Sequence, residues 1–279
     1  MTNGFCSILN YPTDFFELVR NGKIQVKLGE VASFEAEGEV LFTDGDRLKV
    51  DAVVCATGWE TKPSVKFLPT GIDKELGLPR ANPTLDSEEE QLIQTSEAEL
   101  YEQYPFLKER NSNRIYHPDP SHRLSAKQSL ADKTQNPYRL FRFMVPLSDL
   151  QERSLGFVGA MMTLGTASCA YIQALWLIAY LDGTLQLSPA MSPSDIKYQT
   201  YLETQYCAIR HAMGYGNQYP DLVFDALPYF DILLSDLGLT AKRKRSFRKE
   251  YFGSYGPEDY RGLIDQWKRL EAERKSKMD

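Results

Sequence analysis

The sequence has none of the short motifs that identify common catalytic or nucleotide-binding sites. The patterns GxGxxG, GxxxxGK followed by Ser or Thr, HExxH and GxSxG are all absent from its 279 residues. These patterns mark, in turn, a dinucleotide-binding turn, a phosphate-binding loop, a zinc site and a nucleophilic serine. The residues by themselves therefore support only a soluble α/β protein, and they assign no catalytic side chain.

Cysteine is scarce and widely spaced. There is no CxxC pair, so neither a zinc ribbon nor a thioredoxin-like motif is supported. Reduced and mostly buried thiols in an intracellular, cytoplasmic protein are the simpler interpretation. The four cysteines are Cys6, Cys55, Cys169 and Cys207.

Histidine is scarcer still, and two of the three histidines share one Pro-rich stretch. His117 and His122 lie in the segment HPDPSH and could together present a metal ion. A metal site needs ligands held in a fixed geometry, and no helix or hairpin is expected there to hold them. We therefore expect a solvated loop and no metal site.

The chain also lacks an excess of positive charge. Its formal net charge is -6, with 42% hydrophobic and 25% charged residues. The acidic balance argues against a nucleic-acid-binding protein, and the composition is that of an ordinary globular chain. No basic stretch followed by an apolar core opens the sequence, so a secretory signal is not expected.

The segment from residue 11 to residue 60 has the pattern of a β-rich region. Alternating polar and apolar residues at 23–27 predict a half-buried strand. Asp44 and Gly45 separate the runs 39–42 and 47–50, and Asp-Gly between two such runs predicts a hairpin. The continuous apolar run at 52–56 is typical of a strand that is covered on both faces.

Loops and helices are predicted for the middle of the chain. Proline and glycine interrupt residues 60–85, and residues 111–137 are polar and Pro-punctuated, so both segments are expected to be loops. Ser87 can cap a helix whose first turn is acidic, which favours a helix beginning there.

The most apolar segment, residues 154–181, allows two interpretations. It contains no charged residue and is long enough for a transmembrane helix. Its glycines and polar residues instead favour a buried strand at 155–159, a turn at Gly165, and a helix capped by Thr166 or Ser168 that ends at Asp182 and Gly183. We favour the strand, turn and helix because this interpretation explains the glycines.

Helices are predicted for the tail, where apolar residues recur at helical spacing in 225–237 and 257–270. A basic run, KRKRSFRK, lies between these two segments at residues 242–249. It could serve as a nuclear localisation patch or an anion site, but a solvated surface run is the simpler interpretation.

Two segments carry a resemblance to a known family. The first is residues 23–59, in which the predicted hairpin leads into DAVVCATGW at 51–59, followed by FLP at 67–69. It resembles the segment of flavin-containing monooxygenases in which a hydrophobic strand ends in Ala-Thr-Gly and an aromatic residue. The second is LGFVGAMMTLGTASCAYIQALWLIAYLDGTLQL at residues 155–187, which is similar to that family's final FAD-domain strand and helix, with a recurring Gln-Ala-x-Trp.

The resemblance implies a fold. The chain would be a C-terminal portion, similar to fungal members, of an α/β flavoprotein that has two dinucleotide-binding domains, and it would end in a helical C-terminal region. Residues 1–59 would form the end of the NADPH domain and the return strand, and 60–153 an excursion of loops and helices. Residues 154–187 would form the final FAD-domain strand and helix, and 188–279 the helical extension.

The resemblance also implies cofactors and the residues that contact them. FAD and NADPH would be the cofactors. Small residues at the end of the return strand would let the backbone approach the bound dinucleotide, and the helix that opens near residue 165 would point its N-terminus towards the flavin. The residues implied are Ala56, Thr57, Gly58, Leu164, Gly165 and Thr166.

The implied activity is insertion of one oxygen atom into a small organic substrate, with NADPH as reductant. The family's GxGxxG loops supply most of its nucleotide affinity, and this sequence contains none. We therefore expect a truncated gene product or half of a split pair that is inactive or incomplete alone. A chain that carries the N-terminal half is the candidate partner. The alternative is a non-catalytic flavoprotein remnant that serves as an accessory or interaction domain.

Overall fold

The computed structural model describes residues 14–55, 65–81, 84–112, 135–163, 165–185, 187, 190–210, 219–244 and 246–278. The chain divides into two compact units, residues 1–60 and residues 61–279. Helices and small antiparallel sheets make up the described part, so the chain is a mixed helix and sheet protein.

The first unit contains helix α1 (Phe15–Arg20) and one three-stranded antiparallel sheet of β1 (Val31–Phe34), β2 (Glu39–Phe42) and β3 (Arg47–Lys49). The predicted hairpin is confirmed, because β2 and β3 pair across Asp44 and Gly45. Gly45 has a φ of 91°, a conformation that glycine adopts at little cost.

Two strands predicted for this unit are wrong. Residues 23–24 form a bend and residues 25–27 are irregular, and residues 52–55 are irregular and exposed. Val54, at the centre of the apolar run, is 89% exposed. The physical reason is that a strand needs a neighbour for its backbone groups, and β2 pairs with 31–34 instead of 23–27. Position 56, the end of the predicted return strand, lies outside the described residues.

The second unit contains helix α2 (Ser87–Gln103) and helix α3 (Pro105–Ser112). The predicted start of α2 is confirmed, but the cap is Asp86 and not Ser87. Asp86 and Glu89 form a reciprocal capping box, with the Glu89 amide donating to Asp86 at 2.9 Å. The loop predicted for residues 111–137 lies largely outside the described residues.

Two short strand pairs precede the longest apolar helix. Strand β4 (Arg80–Ala81) pairs with β5 (Gln135–Asn136), and β6 (Leu140–Phe141) pairs with β7 (Val145–Pro146). The apolar helix α4 (Thr166–Leu181) is confirmed, including its end at Asp182. Among the described residues, no helix is long and apolar enough to cross a membrane.

The strand predicted at residues 155–159 is wrong. The segment is irregular, although its Phe157 amide donates to the Met144 carbonyl at 2.8 Å. Gly159 has a φ of 79°, which turns the chain out of the extended conformation before a second ladder bond forms. The segment therefore runs as an irregular connection in which Leu155 and Phe157 are partly buried and Val158 is exposed.

The tail is helical, as predicted. It contains α5 (Pro193–Arg210), α6 (Ala226–Asp236), α7 (Phe247–Phe252) and α8 (Leu263–Met278), the last preceded by a 3-10 turn at Pro257–Tyr260. Helices α4 and α6 pack together, and their apolar faces form most of the main core with the β6–β7 hairpin. Large members of this core with almost no exposure are Phe141, Met144, Ile172, Trp176, Leu233, Leu234 and Leu263.

The basic run between α6 and α8 is only partly a solvated surface. Lys244 donates to both carboxylate oxygens of Asp259, at 3.0 and 3.1 Å. Both side chains are more than four-fifths buried. This pair therefore holds the run against the 3-10 turn, which corrects the prediction of a wholly solvated segment.

Candidate functional site

The structure describes two of the six residues implied as cofactor contacts. Gly165 and Thr166 lie at the start of α4. The other four, Ala56, Thr57, Gly58 and Leu164, lie outside the described residues. The candidate site is therefore the α4 start, defined as residues 159–163 and 165–168, with the side chains that hold it in place.

No side chain caps helix α4. Gly165 occupies the cap position, and the predicted capping by Thr166 or Ser168 is wrong. Thr166 instead donates its hydroxyl to the Thr163 carbonyl at 3.0 Å, while the Thr163 hydroxyl accepts from the Gly165 amide at 3.2 Å. Because Thr166 and Ala167 are exposed, the positive end of the helix dipole opens to the surface.

Gly165 leaves space that a side chain could occupy. A Cβ added there would meet only the Phe230 ring, at 3.8 Å, which is an ordinary contact. Its φ of -90° is also open to every residue type. Among the described residues, neither side-chain packing nor a positive φ requires glycine at this position, and the space beside its backbone is open.

Gly159 differs from Gly165 in its backbone conformation and in the hydrogen bonds that its backbone makes. Its positive φ favours glycine, and its backbone is tied on both sides. The Gly159 amide donates to Gln173 Oε1 at 2.9 Å, and its carbonyl accepts from the Tyr219 hydroxyl at 2.5 Å. The α4 start is thereby anchored to the body of its own helix.

Gln173 continues this anchor into the core. Its side chain is fully buried, and its Nε2 donates to the Tyr229 hydroxyl at 2.8 Å. Tyr229 in turn donates to the Arg142 carbonyl at 2.8 Å. Burial raises the pKa of Tyr229 well above its ordinary value, so the phenol stays neutral and remains a donor.

A buried charge cluster lies one helical turn further along α4. Trp176 donates its indole N–H to Asp236 Oδ2 at 3.0 Å, and the same oxygen accepts from Arg142 Nε at 2.9 Å. Arg142 also donates to Glu203 at 2.9 Å. Burial raises the pKa of Glu203, while Arg142 beside it acts in the opposite direction.

Sequence reasoning missed this cluster, although a signal was present. Arg142 stands alone in the apolar run LFRFMV, and Asp236 stands alone in ILLSDLGL. A single charge inside an otherwise apolar segment is costly to bury unless an opposite charge meets it. Two such charges of opposite sign therefore form a reasonable candidate pair.

A second buried guanidinium attaches α5 to the β4–β6 region. Arg139 donates to Gln205 at 3.0 Å and to Thr204, and it lies over the Tyr201 ring at 4.5 Å. Burial lowers the pKa of Arg139 to about 10. Its partners are structural groups of α5, so this contact fixes the helix and does not by itself form a reactive site.

Metal ligands do not gather in the part of the chain that the structure describes, where no group of three or more His, Cys, Asp or Glu could hold an ion. The segment that contains His117 and His122 lies outside it. The described geometry thus offers a helix N-terminus and a buried polar network, and no redox or nucleophilic side chain at the α4 start.

Comparison with known proteins gives relatives of one kind. The chain is 27% identical over 267 residues to the FAD-dependent monooxygenase rstn6 of Aspergillus nomiae, covering 93% of this chain and 42% of that protein. It is 31% identical over 246 residues to the FAD-dependent monooxygenase avaB of Aspergillus versicolor, covering 78% and 32%. A probable flavin-containing monooxygenase of Arabidopsis thaliana is 22% identical over 257 residues.

The coverage of these matches is one-sided. The chain spans about two fifths of the length of the first of these curated relatives, whereas the match covers nearly all of this chain. No protein-family profile matches the chain. No solved structure matches it either.

Proposed function

We propose a function from the premise that this chain corresponds to a C-terminal portion of FAD-dependent monooxygenases. The chain supplies one wall of the flavin site in an FAD- and NADPH-dependent enzyme that inserts one oxygen atom into a small organic substrate. FAD, when bound, supplies the oxygen chemistry. The chain's own residues position and shield the flavin.

The observation that carries this proposal is the open, uncapped start of α4. The helix presents N-terminal amides without a capping side chain, and Gly165 leaves the space beside them open. Such an end stabilises negative charge near it by about 0.3–1 kcal/mol. A flavin ring placed against this end would lie where added negative charge is stabilised.

The network behind the α4 start has a positioning role in this proposal. Gln173 fixes Gly159 from inside the core, and Trp176 fixes the next turn of the same helix through Asp236. A backbone that contacts the flavin should keep its position when the charge on the flavin changes. The motif Gln-Ala-x-Trp therefore supports the site from behind and does not touch the reacting atoms.

Residues 56–58 are proposed as the second contact. Ala56, Thr57 and Gly58 end a segment that resembles the return strand of the family, and small residues there would let the backbone approach the dinucleotide. NADPH binding rests on the same resemblance.

A partner polypeptide is part of the proposal. The sequence contains no GxGxxG loop to bind the dinucleotide phosphates. In addition, the first unit exposes apolar side chains that a soluble domain usually covers. These are Val26 at 68%, Leu28 at 65%, Phe34 at 62% and Val54 at 89% exposure. Both observations support association with a polypeptide that carries the missing loop.

The experiment is co-expression of this chain with the segment of the Aspergillus nomiae relative that precedes its matched region. The expected result is a co-purified complex with the visible absorption of flavin, bleached by NADPH. Gly165→Val should lower the flavin content of the complex, while Thr240→Val, an exposed loop substitution, should not.

The alternative function, a non-catalytic remnant or accessory domain, is favoured by the absence of GxGxxG. It predicts that the two polypeptides associate without flavin, or that flavin in the complex is insensitive to Gly165→Val. Either outcome would overturn the proposed cofactor role of α4.

A further inference from the structure

A cleft of about 370 Å³ lies between helices α2, α5 and α6. This volume lies within the range of small-molecule sites. Its apolar walls include Leu100 of α2, Leu202 of α5 and Leu222, which precedes α6. The cleft is formed within the second unit and includes none of the residues proposed above to contact FAD.

Two pairs of aromatic rings line the cleft. Tyr104 of the α2 end and Tyr206 of α5 have ring centroids 5.7 Å apart. Phe143 and Tyr229 form the second pair, with centroids 5.8 Å apart in an edge-on arrangement. Aromatic walls on both sides favour a planar, mostly apolar ligand, because such rings prefer stacked or edge-on partners.

Glu203 supplies the cleft with a hydrogen-bond acceptor. Its side chain is 16% exposed and accepts from Arg142 and from Gln199, and both bonds end on Oε1. Among the described residues nothing donates to Oε2. A carboxylate oxygen that no described residue occupies, at the edge of a mostly apolar cleft, can accept a hydrogen bond from a ligand that brings its own donor.

We propose that this cleft binds a small, planar aromatic molecule that carries a hydrogen-bond donor, with the donor on Glu203 Oε2 and the ring among Tyr104, Phe143, Tyr206 and Tyr229. The inference does not depend on flavin binding. It does connect the cleft to the α4 start, because Tyr229 contacts both the cleft and Gln173.

The test uses two small probes that differ in the donor. Binding of 4-ethylphenol and of 4-ethylanisole to the full chain, without FAD, is measured by saturation-transfer NMR and titration. The phenol should bind, and the anisole should bind about tenfold more weakly, the factor that corresponds to one lost hydrogen bond.

Variants locate the site. Ile232 lines the cleft and is 37% exposed, so Ile232→Trp can fill the cleft without entering the core. Ile178 on α4 is 51% exposed and lies outside the cleft lining, which makes Ile178→Trp the matched control. Ile232→Trp should weaken phenol binding at least about tenfold, and Ile178→Trp should leave it unchanged. Gln103→Trp, at the rim, is a second blocking variant if Ile232→Trp does not fold.

Three results would overturn the proposal. These are no saturation transfer at millimolar 4-ethylphenol, equal binding of the two probes, and phenol binding that is unaffected by a folded blocking variant. All three results are obtained without FAD. They therefore test the cleft independently of the co-expression experiment, which tests the flavin site.

Discussion

Gln173 and Tyr229 join two helices through a single hydrogen bond of 2.8 Å inside the core. The bond links α4 to α6 at the depth where both side chains are at most 5% exposed. On the other side of Gln173, its amide oxygen accepts from the Gly159 backbone. One side chain thus ties the turn before α4 to the helix packed behind it.

Replacing this side chain should lower stability. Gln173→Leu keeps a similar volume but leaves the Gly159 amide and the Tyr229 oxygen each without one partner. We expect a loss of about 1–3 kcal/mol in the free energy of unfolding. Chemical denaturation measures it, with Gln94→Leu on the exposed face of α2 as control. A loss no larger than that of the control would contradict the proposed anchor.

The Asp236 carboxylate should matter more than Gln173. Its removal takes away the acceptor for Arg142 Nε and for the Trp176 indole N–H, and both donors lie inside the core. Asp236→Ala should therefore cost about 3–5 kcal/mol. Asp51→Ala, on an exposed position of the first unit, should change the free energy of unfolding by less than about 0.5 kcal/mol. A small effect of Asp236→Ala would mean that the cluster is solvated and is not a buried pair.

The two glycines that flank the turn before α4 should respond differently to alanine. Gly159→Ala forces a side chain into a left-handed backbone and should cost about 1–2 kcal/mol. Gly165→Ala meets only one ordinary contact at 3.8 Å and should change stability by less than about 0.5 kcal/mol. Thermal unfolding of the two variants side by side gives the comparison. Equal losses would show that Gly165 is retained for folding and not for a ligand.

Cysteine reactivity should separate exposed from buried thiols. Burial raises the pKa of Cys169 to about 11 and that of Cys207 to about 12, whereas Cys55 is exposed. Since the thiolate is the reactive form, both buried thiols stay protonated at pH 8. Iodoacetamide labelling read by peptide mass spectrometry should modify Cys55 in the native chain, and Cys169 and Cys207 only in denaturant. Rapid native labelling of Cys207 would contradict its burial.

The parts of the fold that could be predicted from sequence are those set by local chemistry. Asp-Gly fixes the β2–β3 hairpin because the turn needs a positive φ, and the apolar spacing of 166–181 suits a helix whatever lies beside it. The strands expected at 23–27, 52–56 and 155–159 had the right composition. A strand also needs a backbone partner, and composition does not say which partner the chain will choose.

Part of the candidate site can likewise be predicted from local sequence, and part cannot. The start of α4 at Thr166 follows from the glycine before it and the apolar helix after it. The uncapped end does not follow, because Thr166 and Ser168 are both good caps by residue type. Arg142 and Asp236 each stand out locally as a lone charge in an apolar run. Their pairing across 94 residues depends on how the β6–β7 hairpin packs against α6, which no local pattern specifies.

The central claim is that the open start of α4 faces a flavin, and titration of FAD against the purified chain tests it most directly. Flavin fluorescence quenching should show weak binding, lost on gel filtration because no GxGxxG loop holds the diphosphate. Gly165→Val should weaken that binding at least about tenfold, while Thr240→Val should leave it unchanged. Binding that is absent at millimolar FAD, or equal in the wild-type chain and Gly165→Val, would contradict the assignment.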